Sequence, residues 1–157
     1  MRTATGADVP AIDRLLSRSY RKLLRVSYPP SLQVMAIPLI SRANPKLITS
    51  GTYFVTESPE GQIVGVGGWT RSVKGLGIAD VRHLATDPDH AREGVARRTM
   101  LGIIDDAKVA GARVLESLAT RNAVPFYEAM GFGVERDVTI GLRPGIDFPV
   151  VRMSRRI

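Results

Sequence analysis

A cluster of basic residues beside a glycine is the part of the chain best suited to chemistry. The basic residues are Arg92, Arg97 and Arg98; only Glu93 offsets them, and Gly94 lies among them. The first N–H groups of a helix have no intrahelical acceptor, and together with the helix dipole they bind anions. Cations at this end of a helix oppose the dipole unless an anion is bound. The cluster therefore predicts a polyphosphate site, with a solvated helix face as the alternative for any single arginine.

The elements around this glycine are predicted to run strand, loop, helix. Residues 78–86 read as a strand, Asp87-Pro88-Asp89 as a turn and residues 90–93 as a polar loop. Helical spacing follows, with apolar residues at Ala96, Met100, Ile103, Ile104 and Ala107. Gly111 is a plausible end of that helix. Because Gly94 has no Cβ, it would let an anion approach the backbone at the start of the helix.

A second segment combines a tyrosine with a helix signal. Residues 122–132 read Asn-Ala-Val-Pro-Phe-Tyr-Glu-Ala-Met-Gly-Phe. Asn122 can cap a short helix over 123–130, with Pro125 tolerated in its first turn and Gly131 closing it. A simple cap for Asn122 and a plain core aromatic for Tyr127 are the structural alternatives to a functional role.

Both segments resemble motifs of the GCN5-related N-acetyltransferases (GNAT family). The loop around Gly94 and Ala96 is similar to that family's pyrophosphate loop, Arg/Gln-x-x-Gly-x-Gly/Ala, although Ala91 replaces its first residue and Arg92 follows one position later. Residues 122–132 are similar to the late motif, Asn-x-x-Ala/Pro-x-x-Phe-Tyr-x-x-x-Gly-Phe. The opening RTATGADVPAIDRLL also resembles the family's first strand and helix. The motifs occur in the family's order, so the resemblance covers nearly the whole chain.

The resemblance implies a fold and an acyl donor. The fold is the mixed α/β acyl-CoA N-acyltransferase fold, with a central sheet of about six to seven strands flanked by helices, here as a single domain over 1–157. The donor is acetyl-CoA, whose pantetheine arm would lie between two splayed strands. The residues that the resemblance assigns to the donor are Leu84, Ala85, Thr86, Arg92, Glu93, Gly94, Val95, Ala96, Arg97, Asn122 and Phe126.

The resemblance also implies how protons move. Tyr127 matches the family's general acid, which would protonate the departing thiolate, and a backbone N–H near Leu84 would stabilise the oxyanion. For the base, Asp80 aligns with the glutamate of the histone acetyltransferase branch. Glu57 and His83 are alternatives, His83 because its unperturbed pKa is the most suitable, and water is a further one. The structural alternative for Asp80, Glu57 and His83 is that each is an ordinary strand or surface residue without a catalytic role.

The remaining pattern predicts a mixed sheet with a hairpin at each end. Asp8 is predicted to cap the first helix, whose apolar face runs from Ile12 to Leu24. A second helix is predicted over 31–40, interrupted or ended by Pro38, and a polar connection over 41–50. The glycines at 65, 67 and 68 indicate a bulge or close approach of another segment. The other predicted strands cover residues 2–5, 52–57, 62–70, 113–119, 135–142 and 148–154.

Composition limits the class of protein. The chain has 157 residues, no cysteine and two histidines, so thiolate nucleophiles are excluded and no metal site is expected. The net charge of +7 would suit nucleic acid as a partner. Aromatic residues make up only 6% of the chain, however, and do not indicate a surface on which bases could stack, so nucleic acid is disfavoured. No apolar run is long enough for a membrane span and no signal core is present, so a cytoplasmic location is expected.

These observations predict an N-acetyltransferase acting on an amine-bearing small molecule or peptide. Without a cysteine, the amine is expected to attack the donor directly in a ternary complex rather than through a covalent intermediate. The rival hypothesis is a non-catalytic acyl-CoA-binding sensor or interaction domain; a third is acetylation of RNA-linked amines. Acceptor preference is expected to reside in residues 20–50 and 71–77, and a homodimer is left open.

Overall fold

Seven strands form one mixed sheet in the computed structural model, which describes residues 1–157. Across the sheet the order is β1-β2-β3-β4-β5-β7-β6. Strands β4 and β5 are parallel and every other neighbouring pair is antiparallel, which confirms the predicted mixed sheet. The strands are β1 (Arg2–Thr3), β2 (Tyr53–Glu57), β3 (Ile63–Arg71), β4 (Ile78–Thr86), β5 (Val114–Ala119), β6 (Gly133–Arg143) and β7 (Ile146–Arg156).

Five α-helices flank the sheet, one of them unpredicted. They are α1 (Val9–Leu23), α2 (Pro30–Ile40), α3 (Pro45–Ile48), α4 (Val95–Val109) and α5 (Val124–Ala129). Helix α3 lies in the segment predicted as a polar connection. The Asn44 side chain caps it by accepting hydrogen bonds from the N–H groups of Lys46 and Leu47, and Pro45 suits the first helical position. No helix has the length and apolar character needed to cross a membrane.

Neither predicted helix cap forms a capping hydrogen bond, although Asp8 does occupy the N-cap position of α1. A 3-10 turn over Gly6–Asp8 precedes α1, and Asp8 sits inside it, accepting a hydrogen bond from the Thr5 N–H at 2.8 Å. The Asp8 carboxylate is also held by Arg2, so it serves a tertiary contact instead of the helix end. A second 3-10 turn, Arg121–Ala123, precedes α5 and places Asn122 before the helix without a capping bond.

The glycines of β3 allow α4 to pack closely on the sheet. A Cβ at Gly65 would lie 2.4 Å from the Val95 side chain, and one at Gly67 would lie 2.9 Å from Leu84. The close approach predicted for this segment is therefore confirmed. Since Val95 is the first residue of α4, the contact with Gly65 fixes where the helix begins relative to the sheet.

A bulge in β4 changes which side chains face each layer. The register with β3 shifts in this stretch, and His83 has a left-handed φ of 47°. Before the bulge, Ala79 and Val81 pack in the core beneath α4; after it, Ala85 packs in the core beneath α1. A β-bulge re-aims side chains in this way. It brings His83 to the opening between β4 and β5.

Strands β4 and β5 separate after a short paired stretch. They pair only from Ile78 and Val114 to Asp80 and Glu116. Beyond Asp80, β4 continues to pair with β3 but has no partner on its other edge. The splayed strands that the resemblance implied are therefore present.

Candidate active site

A narrow cleft of about 100 Å³ occupies the gap between the splayed strands. Leu84 and Ala85 line it from β4, and Asn122 and Tyr127 line it from the α5 segment. The side-chain oxygen of Asn122 is buried and has no hydrogen-bond partner. The same is true of Nδ1 of His83, which lines the same cleft. Buried polar atoms are normally paired, so these two atoms are available to a ligand in the cleft.

Tyr127 is a buried phenol at this cleft. Its side chain is 6% exposed, and Phe132 and Phe126 hold the ring edge-on with centroids at 5.1 Å and 5.5 Å. Burial raises the pKa of Tyr127 to about 12, partly offset by the Ser117 hydroxyl. The hydroxyl therefore keeps its proton throughout the neutral and mildly alkaline range.

A second tyrosine, missed by the sequence reasoning, faces the same cleft. Tyr20 reaches it from α1, and both burial and the proximity of Tyr127 raise the pKa of Tyr20. The sequence places Tyr20 on the apolar face of α1 and at the start of the segment expected to set acceptor preference, without a role for its hydroxyl. No signal in the sequence distinguishes it, because a tyrosine fits an apolar helix face whether or not its hydroxyl lines a cavity.

The predicted anion site is open and unpaired. The backbone N–H groups of residues 92–97 donate to no other backbone group, since the first bond into this turn is from Arg98 N–H to the Gly94 carbonyl. Gly94 has a φ of 75°, and an added Cβ would meet nothing within 4 Å. Arg92, Arg97 and Arg98 are exposed and form no ion pair, whereas Glu93 binds His90 at 3.0 Å. The turn thus presents unpaired amides beside guanidinium groups that no carboxylate neutralises.

The segment before this turn is tied to α1. Arg18 binds the Asp87 and Asp89 carboxylates at 2.8 Å and 2.6 Å. Asp87 is buried and also accepts a hydrogen bond from the Asp89 N–H at 2.9 Å. These contacts hold the end of β4 and the following 3-10 turn (Pro88–His90) in place.

A larger cavity of about 480 Å³ adjoins the cleft on the α1 and α2 face of the sheet. Two carboxylates line it from the paired ends of β4 and β5, Asp80 and Glu116, which are register partners. Asp80 lies 3.4 Å from Arg82, and Glu116 forms an ion pair with Lys74. Both carboxylates are therefore charge-compensated within the cavity.

His83 belongs to both spaces. It lines the cleft and the larger cavity, and burial, followed by the charge of Arg82, lowers its pKa from the ordinary value. His83 is consequently neutral at pH 7 and able to accept a proton.

Other predicted residues lie outside these spaces. Glu57 is bound to Arg2 at 2.9 Å and lines neither the cleft nor the larger cavity. Phe126 packs against Tyr127 and is not part of the cleft wall. Thr86 lies at the end of β4, with its hydroxyl oxygen buried and unpartnered.

The sequence profile of the acetyltransferase (GNAT) domain matches residues 49–134, more than half of the chain. The chain belongs to the GNAT acetyltransferase family. None of the curated proteins matches this GNAT chain in sequence. The family resemblance predicted from the two motifs is confirmed.

Solved structures share the fold. A GCN5-related N-acetyltransferase from Rhodopseudomonas palustris has a TM-score of 0.82 at 19% identity, over 99% of this chain and 94% of that one. The PaiA N-acetyltransferase from Thermoplasma acidophilum, solved with coenzyme A, has a TM-score of 0.74 at 14% identity, over 99% and 97%. A GCN5-related N-acetyltransferase from Kribbella flavida has a TM-score of 0.69 at 22% identity, over 99% and 96%. The predicted GNAT fold is thereby confirmed.

The protein is an acetyltransferase of the GNAT type, a family whose acyl donor is acetyl-CoA. Observations of this structure fit such a donor. The free amides of residues 92–97 and the unpaired arginines suit a diphosphate, and the unpartnered Asn122 oxygen suits an amide N–H of the pantetheine arm. The open edge of β4 offers backbone groups to the same arm.

Proposed function

We propose that this GNAT protein transfers an acetyl group from acetyl-CoA to a primary amine by direct attack in a ternary complex. The observation that carries the proposal is that the cleft and the larger cavity have several lining residues in common. Tyr20, His83 and Ser117 line both spaces. An amine in the larger cavity would therefore meet a thioester in the cleft without a relay group.

The donor is proposed to bind along β4 and the start of α4. Residues 92–97, from Arg92 through Arg97, hold the diphosphate through their N–H groups and guanidinium groups. Leu84, Ala85 and Thr86 offer the free edge of β4 to the pantetheine arm, and Asn122 faces it from the other side. Phe126 contributes indirectly, because its ring supports that of Tyr127.

The reaction requires two proton movements. The amine nitrogen bonds to the thioester carbonyl carbon, the C–S bond breaks, the nitrogen loses a proton and the thiolate gains one. We assign the proton donor to Tyr127, whose hydroxyl stays protonated well above neutral pH. A backbone N–H near Leu84, beside the β4 bulge, is the proposed donor to the oxyanion.

Two groups are positioned to receive the amine proton. Asp80 lines the larger cavity, which is the proposed binding place of the amine and is called the acceptor cavity below, but its carboxylate is paired with Arg82. His83 lies where the two spaces meet, is neutral and has a free Nδ1. We favour His83 as the base over Asp80, because its nitrogen is not already occupied by a cation.

The test of this function is Tyr127→Phe. We expect kcat to fall about 100-fold or more, since general acids contribute roughly 10²–10⁴, while acetyl-CoA still raises the melting temperature. Tyr53→Phe is the matched control, because Tyr53 is another buried phenol with an unpartnered hydroxyl, located in the core beneath α1, and it lines neither the cleft nor the larger cavity. Steady-state kinetics and thermal shift measure both effects.

The rival class makes a different prediction for the same experiment. A non-catalytic sensor would bind acetyl-CoA but acetylate none of a broad set of amines, and neither substitution would change a rate. If Tyr127→Phe retained full turnover, the assignment of the general acid would be wrong even though the enzyme class stood.

A further inference from the structure

The charges lining the acceptor cavity leave one cation without a partner. Two of its three basic side chains are neutralised there, Arg82 by Asp80 and Lys74 by Glu116. The third, Arg152, forms no ion pair. The cavity thus contains a single uncompensated guanidinium group.

Arg152 is also short of hydrogen-bond partners. Its Nε is buried and has none, and an unsatisfied buried donor, above all a charged one, is costly. Across the sheet its register partner on β6 is Arg136, and like charges directly opposite each other are unfavourable. Both observations point to an anionic group that binds at Arg152.

The position of Arg152 relates this anion to the reacting centre. Arg152 lies on β7 opposite Leu118 of β5, and β5 is the strand that forms one wall of the cleft. Neighbouring strands are spaced by about 5 Å. An acceptor bound to Arg152 would therefore reach the cleft across one strand, a distance suited to a small molecule.

We propose that the acceptor is an amino acid with an apolar side chain, and that Arg152 binds its carboxylate. This inference rests on the proposed function, since it concerns the acceptor of the same reaction. The planar guanidinium fork matches a carboxylate and can bind it through two hydrogen bonds. The apolar part of the wall, which includes Leu39, Ile40, Phe148 and Val150, suits an apolar side chain in a cavity of about 480 Å³.

The experiment compares matched acceptors. L-Leucine and L-phenylalanine are tested against their amides, against isoamylamine, which is leucine without its carboxylate, and against the aminophosphonate analogue of leucine. We expect the acids to exceed the amides by about 10- to 100-fold in kcat/KM, mainly through KM, as for one charge-assisted interaction. The aminophosphonate arm separates recognition of a carboxylate from recognition of any anion, and the carboxylate is expected to be preferred.

Arg152→Gln tests the residue itself. The variant is expected to lose the preference for the acid while its activity toward L-leucinamide and its acetyl-CoA-induced thermal shift stay unchanged. Arg156→Gln is the matched control. It removes the same charge from the same strand, but Arg156 is exposed and does not line the cavity. Rescue is tested with Arg152→Lys, which restores charge without the fork and should recover part of the preference.

A binding readout makes the result independent of turnover. With coenzyme A present, N-acetyl-L-leucine should raise the melting temperature of the wild type more than N-acetyl-L-leucinamide, and the difference should vanish in Arg152→Gln. Equal shifts for acid and amide, or equal losses for both in Arg152→Gln, would overturn the carboxylate assignment. If no amine were acetylated but the acid-specific shift remained, the proposed function would fail while the anion site stood. If Arg152→Gln does not fold, the wild-type comparisons decide.

Discussion

At the scale of single residues, the site depends on side chains held in unusual environments. Tyr127 and Tyr20 are phenols whose pKa values are raised by burial, and His83 is a histidine whose pKa is lowered by it. In each case burial favours the neutral form. A proton donor and a proton acceptor can therefore coexist near pH 7 on the two sides of the cleft.

The role proposed for His83 leads to a prediction about the pH dependence of the reaction. Because its folded pKa lies below the ordinary value, the neutral base persists to lower pH than in a solvent-exposed histidine. We expect kcat to stay constant down to the usual histidine range and to fall only below it. His83→Gln should lower kcat by about 10²-fold or more and abolish this acidic limb.

Asp80→Asn is the comparison for that measurement. Both residues line the acceptor cavity, so a general disturbance of the cavity would affect the two variants alike. If the acidic limb disappears in Asp80→Asn and survives in His83→Gln, the base is the aspartate. Full kinetic pH profiles of both variants, followed in kcat rather than in kcat/KM, separate these cases.

Sequence reasoning reached some of these residues and not others, for physical reasons. Gly94, Asn122 and Tyr127 stand in local motifs, so their neighbours along the chain revealed them. Arg152 gave no such signal, because its meaning depends on cavity partners contributed by distant segments, the loop after β3 and strands β4 and β5. One pattern could have suggested it: on β7 it continues the alternate positions of Phe148 and Val150, an apolar run that ends in a charge.

At the scale of elements, the start of α4 and the two splayed strands form the proposed donor site. The sequence predicted α4 and β4 well because helical and strand periodicities are strong in these segments. The capping bonds that it predicted for α1 and α5 do not form, since Asp8 binds Arg2 and a 3-10 turn precedes each helix. Cap preferences are local, and a tertiary partner or an extra turn overrides them.

Gly94→Glu tests the start of α4. The new side chain would enter the open space beside the free amides and add a negative charge where the diphosphate is expected. We expect the KM for acetyl-CoA to rise about 100-fold or more, and the thermal shift on adding acetyl-CoA to disappear, because stabilisation by a ligand follows its affinity.

Gly111→Glu is a close control. Gly111 also has a left-handed φ, 89°, and open space around its missing Cβ, but it lies at the other end of α4. Both variants should lose about 1 kcal/mol of stability from the strained backbone, so the melting temperatures without ligand should fall together. A normal acetyl-CoA shift in Gly94→Glu would place the diphosphate elsewhere.

At the scale of the whole molecule, the site depends on contacts that join distant segments. The Tyr28 hydroxyl donates to the Pro149 carbonyl at 2.7 Å and accepts from the Arg121 N–H at 3.0 Å, while its ring stacks on Phe148. This one side chain links the α1–α2 connection, the turn before α5 and β7. The fold class could be predicted from the order of elements. Contacts such as those of Tyr28 could not, because they depend on three-dimensional proximity between segments far apart in the chain.

A second contact between segments, from Arg2 of β1 to Asp8 at the start of α1, leads to a prediction about stability in acid. Hydrogen bonds from Arg2, together with the Thr5 N–H, lower the pKa of Asp8 to about 2 from 3.8. The folded pKa lies below the unfolded one, so the carboxylate contributes stability above about pH 4 and loses it as the pH falls toward 2. The contribution is at most about 2 kcal/mol, since Arg2 is partly exposed and solvent weakens the ion pair.

Urea unfolding of the wild type and Asp8→Asn tests this contribution between pH 7 and about pH 2.5. The two free energies of unfolding should differ most at neutral pH and converge as Asp8 becomes protonated, because an uncharged carboxyl and an amide bind Arg2 with similar weakness. Asp137→Asn, at an exposed β6 position without an ion pair, should match the wild type across the range. A gap between wild type and Asp8→Asn that stayed constant down to the lowest pH would show that Asp8 stabilises the fold by packing rather than by its charge.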